Sequence, residues 1–173
     1  MRKEIDFFGV YRETLDKLDG DGILLVAGDP PNPMTIGWAT MGYIWHKQIM
    51  TVLVRPTRHT YSLMESIKDF SVCILPVENH QELALCGTRS GRDTDKVNAC
   101  NFHIEKCLKA QSHFISESSY HYECRIVHKH LLSPNTLDPV IINRYYPLRD
   151  FHMVYYGEIL GIYKNMEAVG NRQ

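Results

Sequence analysis

The sequence predicts a mainly β domain: a closed or nearly closed antiparallel barrel interrupted by helical inserts. Three observations carry this. Roughly six or seven segments have the length and apolar content of strands, against about three short helices. Helical inserts separate several strands, without the regular alternation of a doubly wound sheet. No repeat, low-complexity tract or linker divides the 173 residues, so residues 1–173 are read as one domain.

In chain order, residues 1–21 carry Phe7, Phe8, Val10, Tyr11 and Leu15, which suit a lead-in segment docked on the body, with a short helix near 12–18. Residues 22–27 form a first strand, closed by the turn signal Gly28-Asp-Pro-Pro31. Residues 32–61 organise the rest and read as strand, turn at 45–48, strand and helix start. Over 34–41, Met34, Ile36, Trp38 and Thr40 fall on one face and Thr35, Gly37, Ala39 and Met41 on the other. The second face is lined by small residues, and glycine inside a strand often marks close approach of a ligand. Residues 49–54 are apolar throughout, as in a strand buried on both sides. Arg55, Arg58 and Thr60 then crowd one helix start, with Thr60 as expected N-cap.

Residues 60–68 are read as a helix offering Leu63, Met64 and Ile67 to the core, and 70–75 as a buried strand stopped by Pro76. A helix over 79–86 is expected to end at Gly87. Residues 87–95 form a polar, glycine-punctuated loop, and 96–100 one or two helical turns. No structure is assigned over 101–112. Phe114-Ile115 starts a strand. Residues 120–130 alternate, which predicts a long strand with one covered face. Residues 133–148 are a loop-rich excursion containing Pro134, Pro139 and Pro147. A final strand spans 151–163, where Gly157 and Gly161 allow bends. The last ten residues read as a loose tail.

Composition excludes several classes. The formal net charge is -1, which carries no nucleic-acid or membrane footprint. The start, Met-Arg-Lys-Glu-Ile-Asp, places acid where a signal peptide needs an apolar core, and no apolar run approaches membrane-spanning length. A cytoplasmic protein is expected. The five cysteines lack any CxxC pair and read as reduced thiols. Cys86 beside Gly87 shows no Cys/His/acid order that would make it a nucleophile. Among the nine histidines, His128 and His130 share a strand face, but tight Cys/His pairs are missing and no metal site is expected. The dinucleotide fingerprint GxGxxG is absent, and residues 87–91 lack the spacing and ending of a Walker loop.

Two stretches remain as candidate binding elements. A helix start with free N–H groups and nearby Arg55 and Arg58 suits phosphate, and the small-residue strand before it suits a flat ligand. Together they have the shape of a mononucleotide site. The loop carrying Ser90, Arg92, Asp93, Asp95 and Lys96 is the second stretch. Trp38 and Tyr61 either stack on a planar ligand or pack, and His152 leads into the last strand. The pairs Tyr145-Tyr146 and Tyr155-Tyr156 fit a dimer interface or the core.

These motifs appear together in one order: Asn32-Pro-Met-Thr-Ile-Gly-Trp38, Val54-Arg-Pro-Thr-Arg-His-Thr-Tyr61, Cys86-Gly-Thr-Arg-Ser-Gly-Arg-Asp-Thr-Asp-Lys96, Glu123-Cys124, and His152 followed by Tyr156-Gly-Glu-Ile159. The set resembles the flavin reductase-like family, in its flavoredoxin-like subgroup, over about residues 22–163. The resemblance implies a six-stranded antiparallel FMN-binding split β-barrel that forms a homodimer, with FMN near the subunit interface. On this sequence Asn32, Met34, Thr35 and Trp38 would line the isoalloxazine and ribityl region. Arg58, Thr60 and Arg55 would hold the phosphate end. Ser90, Arg92, Asp93 and Lys96 would contribute from the loop, with Lys96 stabilising negative charge on the reduced ring. His152 would sit near the cofactor or the nicotinamide side, as the candidate catalytic residue. His59 stands where the family has a large aromatic and Leu63 where an acid often follows. The 133–148 excursion is longer than in a minimal member.

The activity implied is electron transfer from NAD(P)H through flavin to free flavin, a protein or a metal complex. The alternative is an FMN-binding carrier or storage module with no NAD(P)H activity of its own. A third reading is a split barrel that binds haem or no cofactor.

Overall fold

The computed structural model describes residues 2–165. The chain runs β1 (Arg2–Glu4), α1 (Phe7–Asp19), β2 (Ile23–Ala27), β3 (Asn32–Ile36), β4 (Ala39–Ile44), β5 (Lys47–Val54), α2 (His59–Ser66) and β6 (Asp69–Ile74). It continues with α3 (His80–Thr88), α4 (Lys96–Ala99), β7 (Ile104–Lys106), β8 (His113–Ile115), β9 (Tyr120–Leu131), α5 (Pro139–Tyr145) and β10 (Met153–Asn165).

The main sheet has the order β3-β2-β6-β9-β10-β5-β4, with β1 added on β10, while β7 and β8 form a separate ribbon. Every pairing is antiparallel. The two ends of this order, β3 and β4, are consecutive in the chain and joined only by Gly37 and Trp38. Two residues reach only about 7 Å, so the sheet must curl until its ends meet at that corner. Counted as one bent strand, β3–β4 completes the six expected of an antiparallel split barrel, with β2, β5, β6, β9 and β10.

Two apolar clusters hold the barrel. The interior packs Leu25, Met50, Val52, Phe70, Val72, Tyr122 and Tyr155. On the outer side of β2 and β6, Leu24, Val26 and Cys73 meet Leu83 and Cys86 of α3 and Phe114 and Ile115 of β8. Both faces of β2 and β6 are therefore covered, which explains why β2 is apolar throughout and why Ser71 is the one polar residue among the five buried residues of β6. Helix α1 buries Thr14, whose hydroxyl bonds Val10 O and lies 2.6 Å from the Tyr122 hydroxyl.

Several expectations are corrected. The alternation over 34–41 does not run through: it breaks at the Gly37–Trp38 corner, so Met34 and Ile36 are buried while Trp38 and Thr40 are exposed. Helix α1 starts at Phe7, where the Asp6 carboxylate accepts the Phe8 N–H, rather than near residue 12. Arg58, not Thr60, is the N-cap of α2. Thr60 is buried one step inside, where its hydroxyl accepts the Asn32 amide. Helix α3 continues through Gly87 to Thr88. Gly87 instead permits close packing, since a Cβ there would lie 3.3 Å from Thr35 Cβ. The first five residues of β9 are covered on both sides, because the β7–β8 ribbon lies over the outward His121 and Glu123. Residues 101–112 contain β7, too short at three residues to show a period. Of the expected tail, residues 166–173 lie outside the described residues. No helix among the described residues is long and apolar enough to cross a membrane.

Candidate ligand site at the barrel corner

Strand β3 ends at the corner, strand β5 delivers Arg55 and Arg58, and the chain re-enters β10 through His152. These three segments enclose a cavity of about 260 Å³ lined by Met34, Thr35, Trp38, Arg55, Arg58 and His152. Gly37 in its wall carries no side chain, and a Cβ placed there would meet nothing within 4 Å. A second recess of about 260 Å³ shares Met34 and Arg58 and adds Thr60, Ser90, Arg92 and Lys96. A third, of about 560 Å³, shares Arg92 and Lys96 and adds Asn32 and Asp93. Every site residue expected from sequence therefore lines one of three adjoining cavities.

The second recess is cationic. Arg58, Arg89, Arg92 and Lys96 line it and no carboxylate does. The Lys96 ammonium is buried and donates to Pro33 O and Cys86 O, each at 3.0 Å. An ammonium has three donors, so one remains for a ligand. Burial lowers the Lys96 pKa, the Cys86 thiol pulls it up, and the Arg58 charge lowers it further. Arg58 donates to Gly87 O at 2.5 Å, which ties α2 to the end of α3. Arg92 donates to Thr57 O at 3.2 Å. Burial, and then the charges of Arg92 and Lys96, push the His59 pKa below the usual imidazole value. The backbone at Gly91 approaches so closely that a Cβ would lie 2.0 Å from Asn32 Oδ1 and 2.8 Å from His59 Cδ2.

At the first cavity the 133–148 excursion folds inward. Tyr145 meets Trp38 edge-on at 5.2 Å, and the Trp38 and His152 rings are 5.0 Å apart. The Tyr146 hydroxyl lies 2.8 Å from His152 Nδ1. His152 is buried, and that burial together with the Arg55 charge lowers its pKa to about 4. The imidazole is thus a neutral, tethered group at the cavity wall. Arg55 lines the same cavity, but its guanidinium is engaged by the excursion: it pairs with Asp150 at 2.5 Å and donates to Tyr145 O at 2.8 Å.

Tyr146, His59, Arg89 and Gly91 escaped the sequence reading as site residues. Gly91 had a signal, as a glycine within a charged loop. Tyr146 had none beyond its Tyr-Tyr pair.

Elsewhere, Cys107, His121 and Glu123 place ligand-type atoms within 4.8 Å of one another. The Glu123 carboxylate already accepts the N–H groups of Leu108, Lys109 and Ala110 at 2.8, 2.6 and 3.1 Å, and lies 3.3 Å from His121 Nε2. Its acceptor positions are filled, and it acts as a clamp on the turn between β7 and β8.

Comparison with known proteins adds the following. The chain is 28% identical over 105 residues to an uncharacterized protein of Archaeoglobus fulgidus, a match covering 60% of this chain and 59% of that relative's length. Its fold is similar to the flavoredoxin of Desulfovibrio vulgaris (Miyazaki F), with a TM-score of 0.66 at 15% identity over 86% of this chain and 72% of that one. It is likewise similar to an FMN-binding protein from Thermus thermophilus, with a TM-score of 0.65 at 17% identity over 83% of this chain and 69% of the other. The flavin reductase like domain family matches residues 20–171, which takes in the whole barrel from β2 onward and all three cavities. The chain belongs to that family.

Proposed function

We propose that the chain is a flavin oxidoreductase that holds FMN across the first two cavities and passes electrons from NAD(P)H to an acceptor. One observation carries this reading. A cavity bordered by Gly37 shares Met34 and Arg58 with a recess lined by four cationic side chains and no carboxylate. That is the donor set a phosphate-terminated planar ligand requires.

Arg58, Arg92 and Lys96 hold the phosphate end, and the Thr60 hydroxyl, already accepting from Asn32, has its own hydrogen to donate. Met34, Thr35 and Trp38 bound the ring end. When bound, FMN supplies hydride acceptance and electron storage, chemistry that needs no acid–base dyad from the protein. His152, kept neutral and held by Tyr146, closes the wall with Trp38 and limits water there. The reading includes a homodimer, for which the exposed Trp45, Val127 and Leu131 supply apolar surface; light scattering on the eluting protein tests it.

The deciding experiment is an anaerobic visible spectrum of the FMN-loaded protein before and after NADH or NADPH. Bleaching of the flavin band supports the oxidoreductase. A retained flavin that neither nucleotide bleaches points to a carrier or storage module fed by a protein donor. Protein that retains no flavin overturns the flavin reading.

A further inference from the structure

All five cysteines are free thiols, and two of them meet at the neck of the cationic loop. Cys86 Sγ lies 4.0 Å from Cys100 Sγ. Cys86 sits in the last turn of α3, and Cys100 is the C-cap of α4. The other three thiols have different surroundings. Cys73 accepts the Ile115 N–H, Cys107 lies 3.6 Å from the Ser112 hydroxyl, and Cys124 is buried in the barrel interior.

Between the paired thiols run residues 87–99, which carry Arg89, Ser90, Arg92 and Lys96 to the recess. Lys96 already ties the neck of this loop from both sides. Its ammonium donates to Cys86 O at 3.0 Å, and its carbonyl accepts the Cys100 N–H at 3.1 Å. A bond between the sulfurs would join two segments that the fold holds together without it. Disulfide sulfurs are about 2 Å apart, so each would move by about 1 Å. Cys100 is placed for that movement, half-buried at the end of a four-residue helix, while Cys86 is buried among Leu83, Phe102 and Phe114.

We infer that Cys86 and Cys100 form a reversible disulfide that staples residues 87–99 and so fixes the donors of the cationic recess. The oxidant is a peroxide. The Cys100 sulfur attacks it: an S–O bond forms, the O–O bond breaks, and the leaving oxygen departs as water once protonated. The Cys86 sulfur then displaces the sulfenic oxygen: the S–S bond forms, the S–O bond breaks, and a second water leaves. Two thiols lose two electrons and two protons, and one peroxide takes them up. Burial raises both thiol pKa values, that of Cys86 to about 12, and the Lys96 charge draws each back down. The more exposed Cys100 is therefore the first to react. Neither cysteine lines the first cavity or the recess, so the staple forms whatever ligand those spaces take.

Equimolar hydrogen peroxide on the full chain, followed by alkylation in denaturant and peptide mass mapping, tests the bond. Hydrogen exchange over residues 87–99 tests the staple. A peptide cross-linked between Cys86 and Cys100, released by dithiothreitol, is expected. Amides of 87–99 are expected to exchange about tenfold or more slowly after oxidation and to recover on reduction. Cys100→Ser is expected to abolish both changes, and native exchange in its untreated β6 and β9 shows that it is folded. Peroxide that leaves Cys86 alkylatable, or that cross-links a different pair, overturns the inference. A Cys86–Cys100 bond that leaves exchange over 87–99 unchanged overturns the staple. Neither readout uses flavin, so failure here leaves the flavin reading standing.

Discussion

The Arg55 guanidinium pairs with the Asp150 carboxylate at 2.5 Å, and the same side chain donates to Tyr145 O and lies over the Tyr146 ring at 5.1 Å. A residue whose position just after β5 reads as a phosphate ligand is thus the anchor of the excursion that brings Tyr145 and Tyr146 to the cavity wall. Arg58, three residues on, makes one carbonyl contact and faces the cationic recess. The two arginines divide the work: one anchors the wall of the first cavity, the other faces the cationic recess.

That division predicts different outcomes for the two alanine variants. Arg58→Ala removes a charge-assisted contact and should weaken FMN binding by about 1.5–3 kcal/mol, or roughly ten- to a hundredfold. Arg55→Ala should change FMN affinity by only about two- to threefold, while loss of its ion pair and carbonyl bonds lowers stability by about 1–3 kcal/mol. Titration calorimetry and thermal melts separate the two. Equal losses of affinity would place Arg55 on the phosphate.

Tyr146→Phe tests the tether on His152. Removing the hydroxyl frees Nδ1, which should change the ring's tautomer balance and be visible in the imidazole 15N shifts. The fold should lose only about 1 kcal/mol, the usual net value of one hydrogen bond. Unchanged 15N shifts would mean that the tautomer is set elsewhere.

Gly91→Ala tests the close approach of the loop to β3. The added methyl would overlap Asn32 Oδ1, so either the loop or the Asn32–Thr60 hydrogen bond must yield. Overpacking of this kind costs about 1–3 kcal/mol. FMN affinity should fall together with melting temperature. A variant with native affinity and stability would show that the loop relaxes without cost.

The sequence exposes those parts of the molecule whose cause is local. Residues 22–27 and 70–75 read as strands, and strands run over 23–27 and 69–74, because both faces are covered there and apolar residues predominate whatever their neighbours. The motif residues from Asn32 to Lys96 fall on adjoining cavities because β3, the α2 start and the α3–α4 loop meet at one corner. What stayed hidden depends on distant partners. The break at Gly37 follows from β3 and β4 pairing with different strands, which no alternation pattern records. Lys96 looks like a solvated loop lysine, yet carbonyls at positions 33 and 86 bury it. The engagement of Arg55 requires Asp150, 95 positions away.

Acid should destabilise the fold in two overlapping steps. His152 has a folded pKa of about 4 against an ordinary value of 6.5. The unfolded chain therefore binds the proton first. The stability this group confers is complete above about pH 6.5 and declines as pH falls toward 4, by on the order of 2–3 kcal/mol. His121, lowered by burial, acts in the same direction. Glu123 follows: burial pushes its carboxyl up, but His121 and the N–H groups of Leu108, Lys109 and Ala110 more than offset this and hold it at about 2, against an ordinary 4.5. Its contribution is complete above about pH 4.5 and is lost as pH falls toward 2. Denaturant melts at successive pH values should show stability falling steadily below pH 6.5. His152→Gln should lessen the fall between pH 6.5 and 4.5, leaving the part due to His121, and keep the lower part in place, because Glu123 remains. A profile for His152→Gln that parallels the unaltered chain across the whole range would show that His152 takes up its proton in the folded state without penalty.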